Sequence, residues 1–320
     1  MSRRTAMPEP TSDAGGAAAV TVVMPLYNKR AFVVRAVQSV LAQTWREFEL
    51  LVIDDGSTDG GGELVRELSD SRVRVVRTDN RGPGAARNLA VLESGAPWIA
   101  LLDADDEWRP QFLEKTLAAA RAAPATVAVY TDVVARDAVP PSRTLGSGPV
   151  EDYYLARMRH GVAMSCSSVM IQREALERCG GFREDYRYAE DIETWLRLSC
   201  AGPFYFVAEA LSIIEVADQG RLSKSTDHLR RAAGLGTLYE SFEALRRAGT
   251  IPAPRLDNAR RFFEHQRGRQ ALHLALAGER AAALRLLAKV PLAAHTWRDH
   301  ARVWRRVLLP ASRGREPSTR

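Results

Sequence analysis

The sequence predicts an α/β fold: a mainly parallel sheet flanked by helices, followed by a helical C-terminal region. Three observations lead there. Over the first two hundred residues, short apolar runs alternate with segments of helical period, and such alternation builds βαβ units. Three of the runs end in polar clusters, which a parallel sheet gathers at one edge. From about residue 228 the strand signals stop and the pattern becomes helical.

Val20–Met24 is a β-branched run stopping at Pro25 and reads as a buried strand. Val33, Val37, Val40 and Leu41 share one face of a helix over 30–43. Leu50–Ile53 is a second strand closed by Asp54-Asp55-Gly56, with a helix over 60–69. Val73–Val76 is a third strand, 84–94 a helix, Trp98–Leu102 a fourth strand, 110–122 a helix and Thr126–Tyr130 a further strand. Residues 137–150, rich in Pro, Ser and Gly, read as a loop. Beyond it the signals weaken. Ser165–Ile171, 204–207 and 211–216 read as short strands, and 190–200 as a helix with Ile192, Trp195, Leu196 and Leu198 at helical spacing. The last helices are expected over 256–289 and 292–308, with breaks at Pro252, Pro254 and Pro291.

The composition fits one large globular domain or two ordinary ones: 320 residues, 46% hydrophobic and 26% charged. It excludes a wholly disordered chain and the collagen-like, coiled-coil and disulfide-scaffold classes. The net charge of +6 hides a division. Residues 1–227 hold 26 Lys and Arg against 32 Asp and Glu, a net of −6, whereas residues 228–320 hold 19 against 7, a net of +12. Cys166, Cys179 and Cys200 are too few and too scattered for a disulfide framework or a zinc site and read as reduced thiols of a cytosolic protein. No run of 18 apolar residues predicts a transmembrane helix. Residues 1–18 read as a flexible leader.

The strongest chemical signal is LLDADDEW, 101–108. Asp103 and Asp105 point to one side of an extended segment, and paired carboxylates at a strand end suit Mg²⁺ or Mn²⁺. The plainer reading is an acidic turn capping the next helix. In LLVIDDGSTDG, 50–60, Gly56 allows a tight turn and Ser57 or Thr58 can cap a helix. That leaves Asp54 and Asp55 over, and a carboxylate at this edge can accept from a nucleobase N–H or a ribose hydroxyl. NRGPGAARN, 80–88, lacks the third small residue of a dinucleotide fingerprint, having Arg87 there. It reads either as a loop into a helix or as a loop that brings Arg87 near a nucleotide diphosphate.

Taken together, VVMPLYN (22–28), VIDDGSTDG (52–60), GPGAARN (82–88), LLDADDEW (101–108), SCSSVMIQREALERCGGFRED (165–185) and AEDIETWLRL (189–198) resemble the family 2 glycosyltransferases over residues 21–215. The resemblance implies a GT-A-type, Rossmann-like fold and inverting transfer of a sugar from a nucleoside diphosphate sugar to a saccharide or lipid-linked acceptor. It divides the chain into a leader (1–18), a catalytic domain (19–227) and a basic helical region (228–320). Within the catalytic domain the nucleotide-sugar half is about 19–130 and the acceptor half about 131–227. Pro25 and Tyr27 would sit where the first strand meets the nucleobase, and Asp55, with Asp54 beside it, would contact the base. Asp103 would reach the ribose or the metal, and Asp105 would coordinate the divalent cation, Mg²⁺ or Mn²⁺. Asp191 matches the catalytic base; the alternative is that Glu190 and Asp191 are merely first-turn acids answering the helix dipole.

One departure from the family concerns SIIEVADQGRLSK, 212–224, where Glu215 falls near a customary Arg and the customary His is missing. Arg221 or Lys224 is then the candidate diphosphate contact. His160, Met164, Tyr186 and Tyr188 fall in the expected acceptor half. The segment 292–308 mixes Arg298, Arg302, Arg305 and Arg306 with Trp297 and Trp304. It fits a helix resting on an anionic membrane surface or one packed on the catalytic domain. No nucleic-acid motif is present. The expected location is cytoplasmic, peripheral at the inner face of the cell membrane. Competing classes are a nucleotide-sugar nucleotidyltransferase, which would need an N-terminal Gly-rich phosphate loop, and a non-catalytic nucleotide-sugar binder, which would have lost the D-x-D pair or Asp191.

Overall fold

The structure, a computed structural model, describes residues 18–140, 144–186, 188–216, 227–290 and 304–305. The expected leader, Arg221, Lys224 and nearly all of the expected 292–308 helix lie outside these residues.

The chain opens with β1 (Val20–Leu26), α1 (Arg30–Leu41), β2 (Phe48–Asp55), α2 (Gly61–Glu67), β3 (Val73–Thr78), α3 (Pro83–Glu93) and β4 (Trp98–Leu101). After these come β5 (Glu107–Trp108), α4 (Phe112–Ala122), β6 (Ala128–Ala135), β7 (Gly148–Val150), α5 (Tyr153–His160) and β8 (Val169–Gln172). The last elements are α6 (Arg173–Arg178), α7 (Glu190–Ala201), β9 (Phe204–Ile214), α8 (His228–Arg247), α9 (Ala253–Leu276) and α10 (Arg280–Leu287).

One sheet carries all nine strands in the order β3-β2-β1-β4-β8-β6-β9-β5, with β7 also on β9. Its first four strands are parallel neighbours, as βαβ units require. The parallel run stops at β4. The next strand in space is β8, antiparallel to both β4 and β6, so β6 does not follow β4 directly. Parallel pairing resumes between β6 and β9.

Alternate residues of each strand feed two cores, one on each face. Val22, Met24, Leu50, Val52, Ala100 and Met170 pack with α1, α2 and α4. Val23, Leu51, Ile53, Leu101 and Ile171 pack with α3, α5 and α7. The second core does not end with the α/β elements. Leu235, Leu238 and Phe242 of α8 and Phe262 and Phe263 of α9 belong to it. Tyr154 of α5 touches both phenylalanines, with ring centroids 5.1 Å and 5.4 Å away. The first C-terminal helices are thus built into the α/β body's own core.

Local differences from the sequence-based expectation have simple causes. The runs 204–207 and 211–216 join into one long strand, β9, which bends past a register irregularity opposite Asp132. The expected helix over 256–289 breaks at Gly278, where φ is +90°. The 137–150 loop contains the edge strand β7, whose partner is remote in sequence.

Candidate functional site

The carboxyl ends of β1, β2 and β4 do converge, and side chains from one loop stitch them to the next. Asn28, at φ 51°, accepts the Thr58 N–H on its side-chain oxygen at 2.8 Å, and its own N–H donates to Ser57 Oγ at 3.1 Å. Pro25 lies within β1 opposite Ile53, and Tyr27 is 49% exposed at the strand's end. Asp55 is buried and accepts the N–H groups of Arg81 and Gly82, one per oxygen, both at 2.8 Å. Oδ1 also accepts the Thr78 hydroxyl at 3.5 Å, whereas Oδ2 has a second lone pair for another donor. Asp55 therefore fixes the 80–82 loop against β2.

Asp54 faces the other way. Its side chain is fully buried, with Ser57 N–H on Oδ1 and Arg77 on Oδ2 at 2.7 Å. A Cβ at Gly62 would overlap this carboxylate. Asp54 thus clamps the β2–α2 turn, and its expected place among the nucleotide contacts is not where its carboxylate sits.

Asp103, Asp105 and Asp106 present carboxylate oxygens within 4.8 Å of one another. The Asp103 side chain is 32% exposed and that of Asp105 6%. Lys29 places its ammonium 3.2 Å from Asp105, a cation already standing on the carboxylate expected to ligate metal. Asp106 is buried and accepts Ser167 O–H at 2.6 Å and Glu215 N–H at 2.9 Å. Three hard oxygen donors fit Mg²⁺ or Mn²⁺. Asp103 and Asp105 are the pair available to hold it, while Asp106 braces the loop. Ser167 is the hub of that brace: its Oγ also accepts the Asp103 N–H at 3.1 Å, and its carbonyl accepts Trp108 Nε1–H at 2.7 Å. The sequence contains Ser167 in SCSS, but no local pattern announces a residue whose partners lie about sixty positions away.

Arg87, expected near a diphosphate, is buried instead. Its guanidinium donates to Asp103 at 2.8 Å and to Glu190 at 3.3 Å, and lies over the Phe182 ring at 5.3 Å. It bridges the metal-type acids to the acids of α7. Asn88, next to it, pins the Phe182 backbone from both sides, accepting its N–H at 2.8 Å and donating to its carbonyl at 2.7 Å.

Asp191 stands at the start of α7, preceded by Ala189 at φ 62°. A non-glycine residue there is strained and persists only where its surroundings enforce it. Asp191 is half-buried and accepts the Ile192 N–H at 2.8 Å. Burial, then the neighbouring Glu190 charge, push its pKa up to about 6, against the opposing pull of the Ile192 N–H, Arg87 and Arg157. Burial thus outweighs the helix terminus. Cys166 lies nearby, and burial pushes its thiol well up, so it is no nucleophile at neutral pH.

Among the expected acceptor-side residues, Met164 and Tyr186 are buried and Tyr188 is half-buried. His160 ends α5 with Nδ1 2.8 Å from Thr144 Oγ1. Glu215, in place of the customary Arg, pairs with Arg35 at 3.0 Å and Arg136 at 2.9 Å.

Residues 21–180 match the family described as "Glycosyl transferase family 2". The chain belongs to that family. This family 2 chain is 31% identical over 184 residues to the "Putative teichuronic acid biosynthesis glycosyltransferase TuaG" of Bacillus subtilis (strain 168), covering 56% of the chain and 71% of TuaG. It is 44% identical over 120 residues to the "Succinoglycan biosynthesis protein ExoO" of Rhizobium meliloti (strain 1021), covering 37% of the chain and 34% of ExoO. The matched segment thus spans about a third of ExoO's length. Its fold is similar to S. aureus TarS 1–349 in complex with UDP-GlcNAc, with a TM-score of 0.68 at 16% identity over 86% of this chain and 82% of that one. It is also similar to the Pyrobaculum calidifontis mannosyltransferase PcManGT in complex with GDP-Man and Mn²⁺, at 0.59 and 20% over 89% and 78%. The fold is therefore GT-A. Among the described residues no helix is long and apolar enough to cross a membrane.

Proposed function

We propose that this chain transfers a sugar, with inversion and with a divalent cation, from a nucleoside diphosphate sugar to an acceptor hydroxyl in cell-surface polysaccharide or glycolipid synthesis. One observation carries the reading. Asp191 is a half-buried carboxylate with a pKa raised to about 6, joined through Glu190 and Arg87 to a separate acidic pair, Asp103 and Asp105. An inverting transfer needs these two sets of acids, one to hold a cation and one left as a base.

Asp191 accepts the proton of the acceptor hydroxyl. The freed oxygen pair forms the new bond to the anomeric carbon on one face as the bond to the diphosphate oxygen breaks on the other, its electrons leaving with the diphosphate. Asp103 and Asp105 would hold the cation. A bound Mg²⁺ or Mn²⁺ supplies charge neutralisation for the leaving diphosphate. A base with a pKa near 6 is ionised at neutral pH and basic enough to take the proton as the bond forms. Tyr27 and Asp55 face the nucleobase in this reading, and the nucleotide sugars bound by TarS and PcManGT support the donor class. The names of ExoO and TuaG support an acceptor in polysaccharide synthesis. The arginine- and tryptophan-rich composition of 292–308 supports contact with an anionic membrane surface.

A panel of UDP-, GDP- and dTDP-sugars, each with and without Mn²⁺, tests the proposal. One nucleotide class raises the melting temperature by mass action and is hydrolysed with Mn²⁺. Asp105→Ala weakens Mn²⁺-dependent binding of that nucleotide by about 100-fold. If every donor is neither bound nor hydrolysed, with or without metal, the proposal fails.

A further inference from the structure

The family match ends at residue 180, and α8 begins at His228. Helix α8 nevertheless grips the segment that delivers Asp191 at three points. Gly234 lies against Tyr188: a Cβ at position 234 would stand 2.8 Å from Tyr188 Cβ and 2.9 Å from the Tyr188 carbonyl oxygen, closer than real Cβ atoms come. One turn later, Tyr186 donates its hydroxyl to the Thr237 carbonyl at 2.8 Å. Burial pushes the Tyr186 phenol up to about 12, so it remains a donor across any working pH. A further turn along, Ser241 donates to Glu193 Oε1 at 2.8 Å. Glu193 is fully buried and paired with Arg197 as well, so it cannot drift toward solvent.

The contacts on α8 fall at 234, 237 and 241, spacings of three and four that make one helix face. Their partners straddle Asp191, with Tyr186 and Tyr188 before it and Glu193 after it. Between them, Ala189 holds its unfavourable φ of 62°. A rigid bracket on both sides is what an unfavourable backbone needs in order to persist. The adjoining face of α8, through Leu235, Leu238 and Phe242, is set in the main core, so the bracket is anchored to the sheet.

We propose that α8 is a positioning element for Asp191, and that Gly234 is the residue whose missing side chain lets the helix come close enough. The proposal rests on Asp191 being the base. It makes the C-terminal helices part of the catalytic machinery of this chain, beyond the stretch that matches the family.

The test uses the full chain and the donor identified by the panel. For the parent, Gly234→Ala and Tyr186→Phe, it measures kcat, donor KM, the Kd of UDP and GDP with Mn²⁺, and the acidic limb of the pH–rate profile. The expected result is a kcat lowered about tenfold for Gly234→Ala and about threefold for Tyr186→Phe, since small misplacements of a reacting group cost this much or more. Nucleotide Kd stays within about twofold of the parent, and the acidic limb moves by about half a pH unit or more. Two results overturn the proposal: folded variants that keep the parental kcat and limb, or variants that lose nucleotide binding in step with kcat, which marks general disruption. If Gly234→Ala does not fold, Tyr186→Phe, which removes one oxygen, decides alone. A parent that turns over no donor defeats the underlying reading before any variant is made.

Discussion

The acids at the strand ends and the acids at the start of α7 use the same residue type in opposite ways. At the strand ends, Asp54, Asp55 and Asp106 are locked: each carboxylate accepts at least two hydrogen bonds. They are clamps that shape the loops around Asp103 and Asp105. At the far end, Asp191 accepts one N–H, sits beside another acid and is half-buried, so its proton affinity is raised. Environment alone divides the acids into hydrogen-bonded fasteners and one group of raised proton affinity. Arg87 spans the two ends.

Three substitutions test that contrast. The largest effect is expected from Asp191→Asn, which lowers turnover about 10³-fold while Mn²⁺-dependent nucleotide binding persists. Its stability moves the other way. The fold raises the Asp191 pKa from 3.8 to about 6, so the stability linked to its protonation is complete below the unfolded value and lost as pH rises through 6. An asparagine never ionises; at pH 8 the variant is more stable by about 1–2 kcal/mol, discounted for partial exposure, and the gain disappears near pH 3. Thermal melts at the two pH values read this directly. In the parent, kcat/KM falls as pH drops through about 6.

Asp54→Ala should produce the reverse profile. It orphans the buried Ser57 N–H and removes the Arg77 ion pair, leaving Arg77 its bond to the Ser57 carbonyl, and stability drops by about 2–4 kcal/mol in chemical denaturation. Residual folded protein turns over donor at a rate near the parent's. A direct loss of nucleotide affinity at full stability would return Asp54 to the binding set. The smallest effect is expected from Arg87→Lys. One ammonium cannot reproduce the forked contact to Asp103 and Glu190. Turnover falls about tenfold with a melting temperature only a few degrees lower; an unchanged rate would mean the two ends are independent.

The gathering of acids at the strand ends is legible in the sequence because it is local. Each strand run ends in its own acidic cluster, so Asp55, Asp103 and Asp105 could be picked out by position along the chain. Asp54 could not be told from Asp55, because adjacent strand residues face opposite sides and only packing against Gly62 shows which side is the interior. The ion pair of Arg87 is invisible locally for a similar reason: its partner Glu190 is 103 residues away. The insertion of β8 between β4 and β6 left no periodic trace, since pairing partners are not written in a strand's own pattern. The tail's basic charge hides its buried side: Leu235, Leu238 and Phe242 of α8 and Phe262 and Phe263 of α9 join the core from between many charged residues.

The place of β8 also governs how the chain can be assembled during synthesis. When β1 to β4 have emerged, β4 still has one unpaired edge, and its neighbour β8 arrives only after α4, β6 and α5 have been made. An exposed strand edge on a partly made sheet invites pairing with other chains. The segment from β1 to β6 is therefore not a detachable module. Cut after β6, it would retain an open seam at the centre of its sheet, and a nascent chain passes through that same vulnerable stage each time it is made.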